Sequence, residues 1–225
     1  MDTRVYVDRD EAGRVVADRV AGLGLADPLV LALPRGGVPV AVPVARRLGA
    51  ELDVLVVRKV GLPGRPELAV GAVAAGVEVL DPVLLDRFGI GRADLADVLE
   101  RERTELARRE RRYRHLRPAL TMTDRDVVVV DDGLATGATA RVAGRLALAA
   151  GARTVVLAVP VGPPGTVVEL GQVFDRVVCP SRPRSFRAVA EWYEDFDQVD
   201  DDTVLDLLAA QRTAAPARRA GVSSS

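Results

Sequence analysis

Five short, largely apolar runs separated by helical segments constrain this fold more than any other feature of the sequence. Leu29–Leu33 (LVLAL), Leu52–Val57 (LDVLVV), Asp126–Val130 (DVVVV) and Thr154–Val159 (TVVLAV) are rich in β-branched residues and too short for helices. Val173–Val178 supplies a fifth run. Runs that are apolar on both faces belong to strands covered on both sides, the situation of a parallel sheet. Between them the apolar spacing turns helical, over Glu11–Leu23, Val38–Leu48, Thr136–Ala150 and Val167–Gln172, and Thr203–Ala210 reads as a terminal helix. The alternation predicts an α/β, doubly wound, mainly parallel five-stranded sheet with flanking helices.

Two segments interrupt the alternation. Gly61–Leu80 is rich in Gly and Pro, and AVGAVAAGVEVL within it predicts a hairpin turning near Ala75-Gly76. Asp81–Pro118 reads as a helical insertion whose centre, ERERTELARRERRYRHLR, interleaves both signs of charge at helical spacing. A single domain over 1–210 is expected, with the insertion at about 81–118, a hood at about 180–200 and a disordered tail over 211–225.

Composition narrows the function classes. A formal charge of −1 gives no global pull toward nucleic acid or anionic lipid. No run approaches the roughly 18 apolar residues of a membrane helix. The single cysteine, Cys179, cannot form an intramolecular disulfide and reads as a small buried hydrophobe. With a charged N-terminus that is no secretory signal, these features predict a cytoplasmic protein binding neither nucleic acid nor membrane. Of the 31 basic residues, Lys59 is the only lysine. A compact ammonium in an arginine-rich chain suggests a position chosen for its chemistry.

In a doubly wound sheet, ligands bind beyond the carboxyl ends of the strands. Three segments fall there: Pro34-Arg35-Gly36-Gly37, Arg58-Lys59 and Asp131-Asp132. After the aspartates comes the small-residue turn Ala135-Thr136-Gly137-Ala138-Thr139. Exposed amides and the helix dipole make such a turn a phosphate-sized anion site, and Thr136 and Thr139 add hydroxyl donors. The adjacent carboxylates would repel that phosphate. They suit sugar hydroxyls or a hard cation such as Mg²⁺. A phosphate site one short loop from a diol site describes a ribose 5-phosphate.

VVVVDDGLATGAT (Val127–Thr139) resembles the phosphoribosyl-pyrophosphate signature of type I phosphoribosyltransferases. LPRGGVPVA (Leu33–Ala41) is similar to their pyrophosphate loop, and VVRKVGLPGRPEL (Val56–Leu68) to their second-strand end and mobile loop. The whole chain also resembles a bacterial group described only as predicted phosphoribosyltransferases. The resemblance implies that Asp131 and Asp132 hold the ribose hydroxyls and Mg²⁺, directly or indirectly, and that residues 135–139 hold the 5-phosphate. It implies that Arg35, Gly36, Gly37, Arg58 and Lys59 hold pyrophosphate, with a strained or cis peptide at Arg35. Arg35, Lys59, Asp131 and Asp132 are then the catalytic set. The implied reaction displaces pyrophosphate from ribose C1 of phosphoribosyl pyrophosphate by a nitrogenous, nucleobase-like acceptor, in a homodimer. Ala135 stands where the 6-oxopurine enzymes carry an acid, which argues against hypoxanthine or guanine. The hood gathers Phe186, Trp192, Tyr193 and Phe196 in a chain with 4% aromatics. Phe186 and Trp192, with Glu67 of the mobile loop, are the acceptor candidates, and packing of the hood on the core is the competing role. His115 is expected to be a solvated or paired side chain rather than a catalyst. A non-catalytic regulator sensing phosphoribosyl pyrophosphate is the alternative function.

Overall fold

The computed structural model describes residues 4–74, 76–114 and 119–214, apart from the side chains of Glu67 and of 212–214. Helix α1 (Arg9–Ala21) precedes β1 (Pro28–Ala32), α2 (Gly37–Leu48) and β2 (Glu51–Val54). An antiparallel excursion follows, made of β3 (Arg58–Leu62), β4 (Arg65–Ala74) and β5 (Val77–Leu80). The insertion consists of α3 (Pro82–Phe88), a 3₁₀ turn at Arg92–Leu95 and α4 (Ala96–Arg114). The chain then returns to β6 (Asp126–Val130), α5 (Ala138–Ala149), β7 (Thr154–Ala158), α6 (Pro164–Leu170) and β8 (Arg176–Val178). A 3₁₀ turn at Val189–Trp192 and helix α7 (Asp201–Ala214) complete the described chain.

The main sheet has five parallel strands in the order β2-β1-β6-β7-β8, as the alternating runs predict. Strand periodicity splits the core into two layers. Val30, Ala32, Val128, Val130, Val156 and Ala158 pack with buried residues of α1, α2 and α7. Leu29, Leu31, Val127, Val129, Val155 and Leu157 pack with those of α5 and α6 on the other face. Helices α1 and α2 approach closely at Gly13, where a Cβ would lie 2.6 Å from the Val40 carbonyl oxygen.

One expected element divides. The run read as a single strand over 52–57 ends at Val54, and Arg58-Lys59 opens β3 of a separate three-stranded sheet, β3-β4-β5. Nothing apolar and periodic marks RKVGL as a strand; antiparallel pairing with β4 makes it one. The expected hairpin is β4–β5, with Gly76 at φ +79°; Ala75 lies outside the described residues. The insertion is helical as predicted. Asp81 caps α3 by accepting from the Val83 and Leu84 amides, and Gly89 ends it in the left-handed region.

Leu99, Leu106 and Tyr113 form the buried stripe of α4, and Arg114 ties its end to the sheet. The Arg114 guanidinium reaches Asp53 Oδ2 at 3.0 Å, Glu110 Oε1 at 2.6 Å and the Val54 carbonyl at 2.8 Å, all in a buried setting. The tail over 215–225 and His115 lie outside the described residues, whereas Gln211 is buried and accepts from Arg46 Nε at 3.2 Å.

Removing one member of a buried ion pair strands the other in low dielectric. Asp53→Ala should lower the free energy of unfolding by about 3–5 kcal/mol, read from urea midpoints. A loss under about 1 kcal/mol would mean that Glu110 and the Val54 carbonyl hold Arg114 without it.

Candidate functional site

The site begins with two neighbouring strands. β1 and β6 pair in register from Pro28↔Asp126 to Ala32↔Val130, and the Leu33 amide extends the ladder onto the Val130 carbonyl at 2.8 Å. The loop after β1 and the aspartates after β6 must therefore emerge side by side. Only glycine fits where they meet. A Cβ on Gly36 would stand 2.0 Å from Asp132 Oδ2, and one on Gly37 2.6 Å from the Val130 carbonyl oxygen. The intervening Pro34–Arg35 peptide is cis, the geometry the resemblance implied.

Asp131 and Asp132 are adjacent carboxylates in a largely desolvated position. Burial, and then the Asp132 charge, push the Asp131 carboxyl well above its ordinary range. Burial also raises Asp132, while the Arg9 guanidinium opposes that rise. Arg9 Nε donates to Asp132 Oδ2 at 3.0 Å, with side chains only 11% and 16% exposed. The same guanidinium donates to the Asp197 carbonyl at 2.9 Å and lies 3.8 Å from the centre of the Phe196 ring. Tyr193 Oη donates to the Asp132 carbonyl at 2.6 Å. Burial raises this phenol too, so it stays protonated as a donor. Helix α1 and the hood thus clamp one acid, and Asp131 accepts from the Asp132 amide at 2.9 Å.

The phosphate turn is open. Ala135, Thr136 and Thr139 are exposed, and Gly137 takes φ +69° as the N-cap of α5. The first amides of a helix have no partner within it. Among the described residues, the backbone amides of 135–137 and of Thr139 make no hydrogen bond, and Thr136 Oγ1 lies 3.4 Å from the Ala138 amide.

Arg35, Gly36 and Asp132 share a cavity of about 340 Å³ with Arg9, Phe196 and Gln198. Arg35 is exposed and makes no ion pair among the described residues. Arg58 and Lys59 line a different cavity of about 530 Å³ against α4, where the Arg58 guanidinium is 2.5 Å from Glu102. The structure therefore brings Arg35 beside Asp132 but places Arg58 and Lys59 around the insertion. Phe186 and Trp192 pack half-buried on the cluster of Tyr6 and Tyr193, which is the packing role. Phe196, not Phe186 or Trp192, borders the cavity with the acid pair. The Glu67 side chain lies outside the described residues.

Arg9 was not legible as a site residue, because nothing in RDEAGRVV distinguishes it from a solvated helix start. Phe196 was visible only as one of four hood aromatics. As for a metal, the donor set is two carboxylates, with no gathering of three acidic, His or Cys side chains among the described residues. Two hard oxygen donors in an electrostatically frustrated pair fit a hard divalent cation such as Mg²⁺.

The model for the "Phosphoribosyl transferase domain" family matches residues 9–196. A Mycobacterium tuberculosis H37Rv protein, "Putative phosphoribosyl transferase Rv0571c", is 46% identical over 206 residues, covering 91% of this chain and 46% of that protein. Its counterpart in strain CDC 1551, "Putative phosphoribosyl transferase MT0597", matches equally. The chain spans about half the length of the curated relatives it matches. The crystal structure of TT1426 from Thermus thermophilus has a TM-score of 0.84 and 46% identity, covering 92% of this chain and 99% of that one.

The frustrated pair sets a pH signature. A carboxyl raised in the folded state makes the native protein hold more protons than the unfolded chain between the ordinary carboxylate range and the raised value. Stability therefore falls as pH rises through that window. Asp131→Asn, which keeps an acceptor for the Asp132 amide, should raise the melting temperature at pH 8 and lose the advantage near pH 4. A variant equally or less stable at both pH values would mean that Asp131 is not frustrated.

Proposed function

This chain belongs to the phosphoribosyl transferase family, and we propose that it moves ribose 5-phosphate from phosphoribosyl pyrophosphate to a small nitrogenous, nucleobase-like acceptor, releasing pyrophosphate. One observation carries the reading. The acid pair meets the glycine-constrained loop at Gly36 and Gly37 and leads through Gly133 and Leu134 into the open turn at 135–139. Those are the positions that a pentose diol, its 5-phosphate and its 1-pyrophosphate require.

The chemistry follows from where charge moves. A bond forms from the acceptor nitrogen to ribose C1 as the bond from C1 to the pyrophosphate oxygen breaks, its electron pair leaving with pyrophosphate. The acceptor nitrogen loses a proton. Positive charge grows on the ring and negative charge on the leaving group. The amides and hydroxyls of Thr136–Thr139 hold the 5-phosphate, and Asp131 and Asp132 accept hydrogen bonds from the 2- and 3-hydroxyls. Arg35 offers a fork of donors to the pyrophosphate, and the bare backbone at Gly36 and Gly37 lets it approach closely. Mg²⁺ held by the acid pair would screen the pyrophosphate charge when bound. Arg9 donates to Asp132 Oδ2, and in this reading it moves off that oxygen when the sugar or the ion engages it. The homodimer and the cytoplasmic setting implied by the resemblance belong to this proposal. No helix among the described residues is long and apolar enough to cross a membrane.

A second reading is a non-catalytic sensor of phosphoribosyl pyrophosphate. It is favoured by the position of Arg58 and Lys59, which line a cavity apart from Asp132. Pyrophosphate release measured with Mg²⁺ and a panel of nucleobases separates the two. The transferase reading predicts turnover with at least one base, whereas donor binding without turnover throughout the panel supports the sensor. Both require the diol site. Asp131→Asn with Asp132→Asn should weaken ribose 5-phosphate binding in calorimetry at least about 100-fold, the loss of two charged hydrogen bonds at about 1.5–3 kcal/mol each. Unchanged affinity would refute the ribose assignment.

A further inference from the structure

Arg35 faces two cavities. One is the acid-pair cavity; the other, of about 290 Å³, lies between the loop after β1, the end of β2, α4 and the start of α7. Four guanidiniums line this second cavity: Arg35, Arg108, Arg109 and Arg112. The three on α4 sit at i, i+1 and i+4, a spacing that turns them toward one side of the helix. We infer that this cavity is a polyphosphate-binding site, in which the α4 arginines and Arg35 together take a diphosphate group.

The charges around the cavity support an anionic occupant. The carboxylates nearby are Glu105, Asp200 and Asp201, and each already has a partner. Glu105 takes both Arg108 and Arg109, at 2.8 Å and 2.9 Å. Asp201 takes Arg112 Nη1 at 2.7 Å and Tyr113 Oη at 2.6 Å. Asp200 accepts from the Thr203 amide at 2.7 Å and feels the Arg35 charge without a direct ion pair. Four cations thus face three carboxylates, an excess of positive charge around the hollow. Each guanidinium carries five N–H donors. Arg109 and Arg112 each meet a carboxylate through one nitrogen, leaving the rest of the fork for another acceptor. A planar fork suits the paired oxygens of a phosphate, and several forks around one hollow suit a group bearing more than one phosphate.

Three of the four cations come from the helical insertion, and the fourth, Arg35, is shared with the loop used in the proposed transfer, so the inference adds the α4 arginines to that reading and rests on it. The cavity's occupant has two sources of one chemistry. It can be the pyrophosphate of a donor whose sugar sits on Asp131 and Asp132, reached across Arg35, or a separate polyphosphorylated ligand bound beside that donor.

Calorimetry on the full chain tests the inference with inorganic pyrophosphate and, separately, ribose 5-phosphate. Pyrophosphate should bind with an affinity that falls as salt rises. Arg109→Gln with Arg112→Gln should weaken pyrophosphate at least tenfold and leave ribose 5-phosphate within about twofold. Arg108→Gln alone, which spares the contact between α4 and Asp201, should weaken pyrophosphate about threefold or more. Pyrophosphate affinity unchanged in both variants, or no pyrophosphate binding by a wild-type chain that binds ribose 5-phosphate, overturns the inference. Failure of ribose 5-phosphate alone instead strikes the acid-pair assignment. Competition of phosphoribosyl pyrophosphate with pyrophosphate assigns the cavity to the donor, and simultaneous binding of both assigns it to a second ligand; either result supports the site.

Discussion

The packing of Gly36 and Gly37 against the end of β6 is the contact on which the rest of this site depends. Because β1 and β6 are hydrogen-bonded neighbours, a side chain at 37 would run into the Val130 carbonyl and one at 36 into the Asp132 carboxylate. That closeness sets Arg35 at the edge of a cavity it shares with Asp132. A larger residue at 37 would force the loop away from the end of β6, and one at 36 would displace the Asp132 carboxylate. The doubly wound sheet does not choose a chemistry, but it delivers these loops to one rim, where chemistry is possible.

On that rim the protein tolerates an arrangement that costs stability. Two neighbouring carboxylates under partial burial repel each other and lose hydration. The chain offsets one of them with Arg9, itself held against Phe196 and the Asp197 carbonyl. The N-terminal helix and the C-terminal hood, distant in sequence, meet at this point. Tyr6 and Tyr193 bridge the same two segments, and the Glu194 amide bonds to the Tyr6 carbonyl. The hood aromatics therefore pack the hood against Tyr6 and the segment before α1, beside the acids.

The parallel sheet was readable because a strand buried on both faces must be apolar at every position, as in VVVV at 127–130. The glycine loop and the acid pair were readable because each is a local motif whose residue types carry their own chemistry. Strand β3 was not, since RKVGL gains its strand character from pairing with β4. Arg9 was hidden for a related reason: its partner Asp132 is 123 positions away, and no local pattern announces a contact of that range. Lys59 stood out by composition, yet its rarity said nothing about which cavity it would line. The arginines of α4 read as a salt-bridged helix face, and many of them are in ion pairs; that three also border the space beside Arg35 follows only from how the insertion folds back.

The central claim is that one pentose phosphate lies across Asp131, Asp132 and the 135–139 turn. A crystal structure of the chain soaked with phosphoribosyl pyrophosphate and Mg²⁺ tests it most directly. The account predicts ribose hydroxyls or the metal on the two carboxylates, the 5-phosphate on the amides of Thr136–Thr139, and Arg9 released from Asp132. Density for the ligand elsewhere, with Arg9 still paired to Asp132 and the turn empty, would contradict it.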